Sequence, residues 1–584
     1  MQTQLNTPIQ DQPAPKYVKP KAVASWLDNL PLANATETGN ALLHWLQATN
    51  RTKLPPIDRR QNLKQLQPRA TEAIEQLYKT LLSTALPLSG QSKLAHTLAL
   101  NLVSEIAIGY KIVTIELLNH YKNDAVTNQN CSEAIYATIS WLTDSLLTQY
   151  IAYESTPNDS WTEINHLYYI AEKLNIEDVT VNNKHVPELR LSISGAYKRA
   201  TLLALSDPYH MMQGDIVKTY KHLKQWAMPC TIKKPTQETL KVSTLTVQLN
   251  SIHPPEHILT ESPVTESTRI FDIEPVLLHC KSSLRQLFNK AQARENKCSI
   301  LVERHERQYY TRLIQAWSPR PKRISKRESF ATKMVLVSGF SACHFYITGE
   351  KEFSPERDEL LASEQSKSKK PELDLMPMAD TPWSVEENIE KLDAGAISPR
   401  ASHFDTGSKK GDIWTKTHAN KAHKEATRPQ ISFPIVNCNL RNAGGGGVGI
   451  YCAYKDDLQT RVGEIIMFRG TGNKQAMWKL GHIKWLQINQ EESIYIGVKR
   501  MIGNIQGVAT KGERGIGEGG EYFRSLIINN PNSEKLPVSI ITPAAMYDER
   551  SELLVNLETS IMHIRLEKLI ESSSTFSRFT FIKI

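Results

Sequence analysis

NAGGGGVGIYCAYKDDLQTRVGEIIMFRGTGNKQAMWKLGHIKWLQINQEESIYIGVKRM, residues 442–501, is a succession of short apolar runs with turn formers between most of them. The runs at 449–454, 464–468, 478–487 and 493–501 are of strand length and carry β-branched and aromatic residues. Such residues suit a pleated, half-buried surface. Their close succession is the pattern of a small antiparallel barrel or sandwich. Residues 431–436 just upstream, and 334–337 and 342–347 further back, read as strands of the same unit. Between these, residues 349–430 are rich in Lys, Ser, Asp and Pro and poor in β-branched residues, which predicts a disordered charged insertion. The barrel is therefore expected over 318–348 and 431–508.

Ahead of the first barrel strand lies SPRPKRISKR, residues 318–327, in which five of the eight residues from Arg320 to Arg327 are basic. Arg323 and Arg327 are four apart, and two guanidinium groups there can fork onto phosphate oxygens or onto the O6/N7 edge of guanine. Pro319 and Pro321 stiffen the approach. On composition alone the plainer reading is a solvated basic linker. In Asn442-Ala-Gly444-Gly-Gly-Gly447, four consecutive glycines expose backbone amides and permit positive φ, which suits an anion nest or, more plainly, a hairpin or bulge. G-K-[ST] is missing, so this is no P-loop. Residues 515–520 formally fit G-x-G-x-x-G, but the strand-like text after them supplies no helix N-terminus for a pyrophosphate. His418 and His423 fall in the insertion without Cys or carboxylate partners at ligand spacing. No nucleophile–base or paired-carboxylate arrangement can be argued from spacing, so no enzyme is expected.

Working outward, residues 22–230 carry helical periodicity. Ile135, Ile139, Leu142, Leu146 and Tyr150 make one apolar stripe, with Ser132 as the expected N-cap. Residues 231–317 read as a mixed strand and helix connector, and 509–584 as a C-terminal strand-rich unit. The Pro- and Gln-rich residues 1–21 read as a disordered lead-in without the apolar core of a secretory signal. The most apolar region, 94–118, is interrupted by Glu105, Lys111 and Glu116, so no membrane span is expected. Seven cysteines without a C-x-x-C pair argue against a disulfide framework or zinc site and for a cytoplasmic protein. The net charge of +9 permits an anionic partner without demanding one.

Taken together, these pieces resemble the PilZ domain, a small bacterial β-barrel that binds cyclic di-GMP. Its signature is R-x-x-x-R before the first strand and [D/N]-x-[S/A]-x-x-G on the barrel wall. Arg323-Ile-Ser-Lys-Arg327 matches the first part, and Asn442 to Gly447 matches the second, with Gly444 where Ser or Ala is usual. Residues 462–466, 478–487 and 496–500 are similar to later PilZ strands. The whole chain looks like longer proteobacterial proteins with an N-terminal helical domain and a late PilZ domain. The resemblance implies a multidomain α+β protein: an all-α domain, a PilZ-like antiparallel barrel and a strand-rich end. It implies cyclic di-GMP as ligand and no other cofactor. Arg323 and Arg327 would hold guanine edges and phosphates, with Arg320 as a helper. Asn442 would contact the other guanine or ribose side, and Gly447 would let the backbone pass close to the ligand. Gly444 removes one candidate hydrogen bond, worth on the order of 1 kcal/mol.

Two functions follow. One is a cyclic di-GMP receptor that changes a partner surface on the helical domain. The other is a nucleotide-independent scaffold, a degenerate PilZ barrel beside a partner-binding helical domain. No DNA or RNA partner and no integral membrane segment are expected.

Overall fold

The computed structural model describes residues 5–31, 33–82, 84–181, 191–235, 245–255, 264–292, 300–319, 328–355, 432–453, 458–472, 477–489, 493–513, 521–529, 537–558 and 560–584. The N-terminal part is helical: α1 (Pro20–Asp28), α2 (Ala35–Asn50), α3 (Pro56–Leu82), α4 (Gly90–Asn119), α5 (Ala125–Ile151), α6 (Asn158–Leu174), α7 (Ile193–Leu205) and α8 (Gln213–Trp226). The stripe on α5 is fully used, since Ile135, Ile139, Leu142, Leu146 and Tyr150 are all buried. Its N-cap is not Ser132, which lies buried inside the helix. The helix begins about two turns earlier, where the Asp124 carboxylate accepts the Thr127 amide at 2.9 Å. Among the described residues α4 alone is long and apolar enough to cross a membrane, and it is mostly buried, packing against α2, α3 and α5. The lead-in is not loose from Leu5 onward. Leu5 is buried, the Asn6 amide donates to Glu163 at 2.9 Å, and the Trp45 indole donates to the Tyr17 carbonyl at 2.7 Å. An extended strap satisfies its polar groups on the domain surface in this way.

The connector is a small sheet, β1 (Thr231–Lys233), β2 (Thr246–Gln248) and β3 (Thr268–Asp272), ordered β1-β3-β2, followed by α9 (Glu274–Gln292) and α10 (Ile300–Trp317). Trp317 ends α10 fully buried, its indole donating to the Leu202 carbonyl of α7 at 3.1 Å. The middle unit is a closed six-stranded antiparallel barrel. It contains β4 (Glu328–Ser338), β5 (Val436–Gly444), β6 (Gly447–Cys452), β7 (Ile465–Gly470), β8 (Lys479–Ile488) and β9 (Ile494–Met501), in the order β4-β5-β6-β9-β8-β7. Closure removes the exposed sheet edges that an open sheet this small would carry. Residues 342–347 are not a strand but part of a helix, α11 (Phe340–Ile347), entered through Gly339 at φ +100°. Its Ala342 and Cys343 fill the seam between the two barrels. Residues 432–435 are likewise not strand, because β5 starts at Val436 and runs through Asn442. The insertion reading falls largely on 356–431, outside the described residues.

The C-terminal unit is a second closed six-stranded barrel. Its strands are β10 (Asn504–Gly512), β11 (Phe523–Asn529), β12 (Ser539–Pro543), β13 (Glu552–Asn556), β14 (Ile561–Ser572) and β15 (Phe576–Lys583), in the order β10-β11-β12-β15-β14-β13. It begins at Asn504, so residues 504–508 belong to it and not to the middle barrel. Ile502 and Gly503 alone separate the two barrels. Gly503 (φ +142°) lies so close to the Asn529 carbonyl oxygen that a Cβ there would stand 2.8 Å from it.

Two isolated β-bridges fix the middle barrel to the helical domain. Leu86 and Thr460 exchange amide hydrogen bonds at 2.9 and 2.8 Å. Ile488 donates to the Tyr153 carbonyl at 2.8 Å and accepts from Ser155 at 2.9 Å.

Candidate functional site

Side chains alternate across a strand, so the buried Val448, Ile450, Ile496, Val498 and Ile483 put their neighbours on the outer wall. There Asn442 pairs with Gly449 and Gly449 with Gly497, while Gly447 pairs with Lys499 and Lys499 with His482. Three glycines therefore floor a shallow surface, and two of them are covered by neighbouring side chains. A Cβ on Gly449 would stand 2.7 Å from Asn442 Oδ1, and one on Gly497 would stand 1.8 Å from Trp485 Nε1. Asn442 and Trp485 thus lie flat across the next strand, each in a space that only glycine leaves. A bulge between Ile483 and Trp485 re-aims the indole to make that contact. Trp485 also meets His210 of the helical domain, ring centroids 6.3 Å apart. On the next row Tyr451 and Tyr495 pack edge to face, and the Arg441 guanidinium lies 4.9 Å above the Tyr495 ring.

The glycine run is a hairpin. Gly444 pairs with Gly447 and the turn is Gly445-Gly446. Gly445, Gly446 and Gly447 take no left-handed φ, so the run does not form a positive-φ nest. Gly447 serves close approach instead, since a Cβ there would stand 2.5 Å from the Val498 carbonyl oxygen of β9. The turn is held by Arg500, a residue the motif reading missed. Its Nη2 donates to the Gly444 and Gly445 carbonyls at 3.3 and 3.1 Å, and its amide donates to the Gly446 carbonyl at 3.2 Å. Arg320, Arg323 and Arg327 lie outside the described residues. The residue after Arg327 is Glu328, which pairs with Ala443, and Ser329 pairs with Asn442. The strand that follows the arginine segment therefore enters the barrel beside the Asn/Gly motif.

On its C-terminal side the wall meets the second barrel. Glu571 Oε1 of β14 lies 3.3 Å from His482 Nε2, 3.2 Å from Lys484 Nζ and 3.1 Å from Lys499 Nζ. Burial works to raise the Glu571 carboxyl, but these three neighbours outweigh it and hold it below the usual range. His482 is 3 % exposed, and burial lowers its pKa to about 3, so it stays neutral. Beside the cluster opens a cavity of about 230 Å³ at the meeting of four units. Asp207 and His210 of the helical domain, Arg312 of α10, His482 and Lys484 of the middle barrel and Phe576 of the second barrel line it.

A six-stranded barrel whose outer wall carries an Asn/Gly motif, entered by a strand that follows R-x-x-x-R, defines a PilZ-domain protein. Residues 21–237 match the family described as cyclic-di-GMP receptor FimW, N-terminal domain. Residues 245–503 match its middle PilZ domain, and residues 508–584 match the FimW C-terminal beta-barrel domain. With these three domains in order along nearly the whole chain, the protein belongs to the FimW family of PilZ-domain proteins. A curated relative from Pseudomonas aeruginosa, cyclic-di-GMP receptor FimW, is 22% identical over 592 aligned residues, covering 98% of this chain and 92% of the relative. No solved structure matches the chain.

Proposed function

We propose that this protein is a cyclic di-GMP receptor, acting by binding and not by catalysis, in the cytoplasm. One observation carries the reading: the ladder register sets Ser329 and Glu328, directly after Arg327, against Asn442 and Ala443 on the glycine-floored wall. A nucleotide lying on this wall meets Gly447 and the side chains of Asn442 and Trp485 where they cover Gly449 and Gly497, with Tyr495 on the next row. Arg323 and Arg327 would close over it and fork onto guanine and phosphate, with Arg320 assisting. Gly444 offers no hydroxyl, so one contact usual for the motif is absent. Because the wall abuts His210 and is fixed through Thr460 and Ile488, a ligand held against it would be felt by the helical domain. A protein partner on that domain would read the change.

Calorimetric titration of the protein with cyclic di-GMP, beside Arg323→Ala and Arg327→Ala, tests this. Each substitution is expected to cost roughly 1–3 kcal/mol, the worth of a bidentate guanine contact. Unchanged affinity in both variants would refute the site. The missing hydroxyl at Gly444 favours a second reading, a scaffold that binds a protein partner without nucleotide. A heat-silent titration of the folded protein would select it.

A further inference from the structure

Three nitrogen donors, from His482, Lys484 and Lys499, converge on one oxygen atom of Glu571. All three belong to the wall of the middle barrel, whereas the carboxylate reaches in from another domain. His482 is neutral, so the Nε2 facing Glu571 donates as N–H, and its buried Nδ1 has no hydrogen-bond partner. Donors of this kind on neighbouring strands are what a phosphate oxygen requires. The cavity beside them, about 230 Å³, offers far more room than the roughly 10–15 Å³ that one water needs. Arg312 adds a cation from the last turns of α10, directly before the arginine segment. A carboxylate and a phosphodiester each carry one negative charge, so exchanging one for the other leaves the cluster's charge unchanged. Glu571 also has a second home. Its partner across the β14–β15 ladder is Arg578, which already senses its charge.

We propose that His482, Lys484 and Lys499 form a phosphate subsite on the barrel wall, occupied in the free protein by the Glu571 carboxylate. This rests on the receptor reading above and names the regulation of the same site. One phosphodiester of the nucleotide takes the place of Glu571, which turns to Arg578, and the second barrel loses its charged hold on the first. Ligand binding is thereby coupled to release of β14.

The test uses the full chain, cyclic di-GMP as probe, calorimetry for affinity and amide hydrogen exchange for residues 566–573. Lys484→Ala/Lys499→Ala is expected to weaken binding roughly tenfold or more, the worth of at least one charge-assisted hydrogen bond. Lys484→Arg/Lys499→Arg is expected to retain it. Glu571→Gln is expected to bind several-fold tighter, and in wild type the nucleotide is expected to speed exchange across 566–573. If wild type binds but the double alanine variant binds equally well, or exchange in that segment stays level or slows, the inference is wrong while the receptor reading stands. If wild type does not bind at all, both fall together.

Discussion

Gly447 and Gly449 are two residues apart on β6, face the same way, and answer to different neighbours. A Cβ at Gly447 would stand 2.5 Å from the Val498 carbonyl oxygen, a backbone atom fixed in the β6–β9 ladder, whereas one at Gly449 would meet Asn442 Oδ1, the end of a side chain, at 2.7 Å. Gly447→Ala therefore has to push two strands apart. Overpacking of this kind costs about 1–3 kcal/mol, and a strained ladder hydrogen bond adds about 1 kcal/mol. For a domain of this size that lowers the melting temperature on the order of 8 °C. Gly449→Ala needs only a rotation of Asn442, about 0.5–1.5 kcal/mol, but it moves Asn442 off the wall. Affinity for cyclic di-GMP should then fall about tenfold, one hydrogen bond to a charged or strongly polar group. Scanning calorimetry, which separates the transitions of a multidomain chain, and titration of both variants give the two readouts. If Gly447→Ala melts with wild type while Gly449→Ala is the unstable one, the wall is not built as described.

Arg500→Ala removes the Nη2 donor that the Gly444 and Gly445 carbonyls share, and should lower middle-barrel stability by about 1–3 kcal/mol in chemical denaturation. In the helical domain Lys111 and Glu163 are a buried pair at 2.5 Å. Lys111→Ala should cost about 3–5 kcal/mol by stranding the carboxylate, and Lys111→Met/Glu163→Leu should recover much of it. Burial lowers the pKa of His344 and His96 to about 4 and of His482 to about 3. A lowered folded value means the unfolded chain takes protons first, so stability is level above pH 6.5 and falls as pH drops toward 4, on the order of 1.4 kcal/mol per pH unit per histidine. His344→Gln, which retains a donor toward the Val508 carbonyl, should flatten that slope; an unchanged slope in thermal melts from pH 7 to 4.5 would contradict the assignment.

The barrel strands were legible because their inward residues alternate, as in Val448, Ile450 and Cys452 or Ile494, Ile496 and Val498. Residues 342–347 misled because a short apolar run has no period by which to tell helix from strand. That run becomes α11 only because two barrels meet around it. The barrel boundary was misplaced by a few residues because Ile502 and Gly503 make so short a link. Asn442 and Gly447 could be found from a local motif, but their neighbours could not. Trp485 reaches Gly497 through a bulge, and Arg500 reaches the hairpin through the β6–β9 register. Glu571 comes from a different domain. Its position relative to Lys484 and Lys499 is a property of how two closed barrels sit together, which no spacing in the chain encodes.

Whether cyclic di-GMP lies on the outer wall of the middle barrel is tested most directly by the structure of the protein crystallised with the nucleotide. Ligand density is expected over Gly447 and on the Asn442 and Trp485 side chains that cover Gly449 and Gly497, with Arg323 and Arg327 against it. Density elsewhere on the chain, or a wall left bare by a ligand that binds in solution, would contradict that placement.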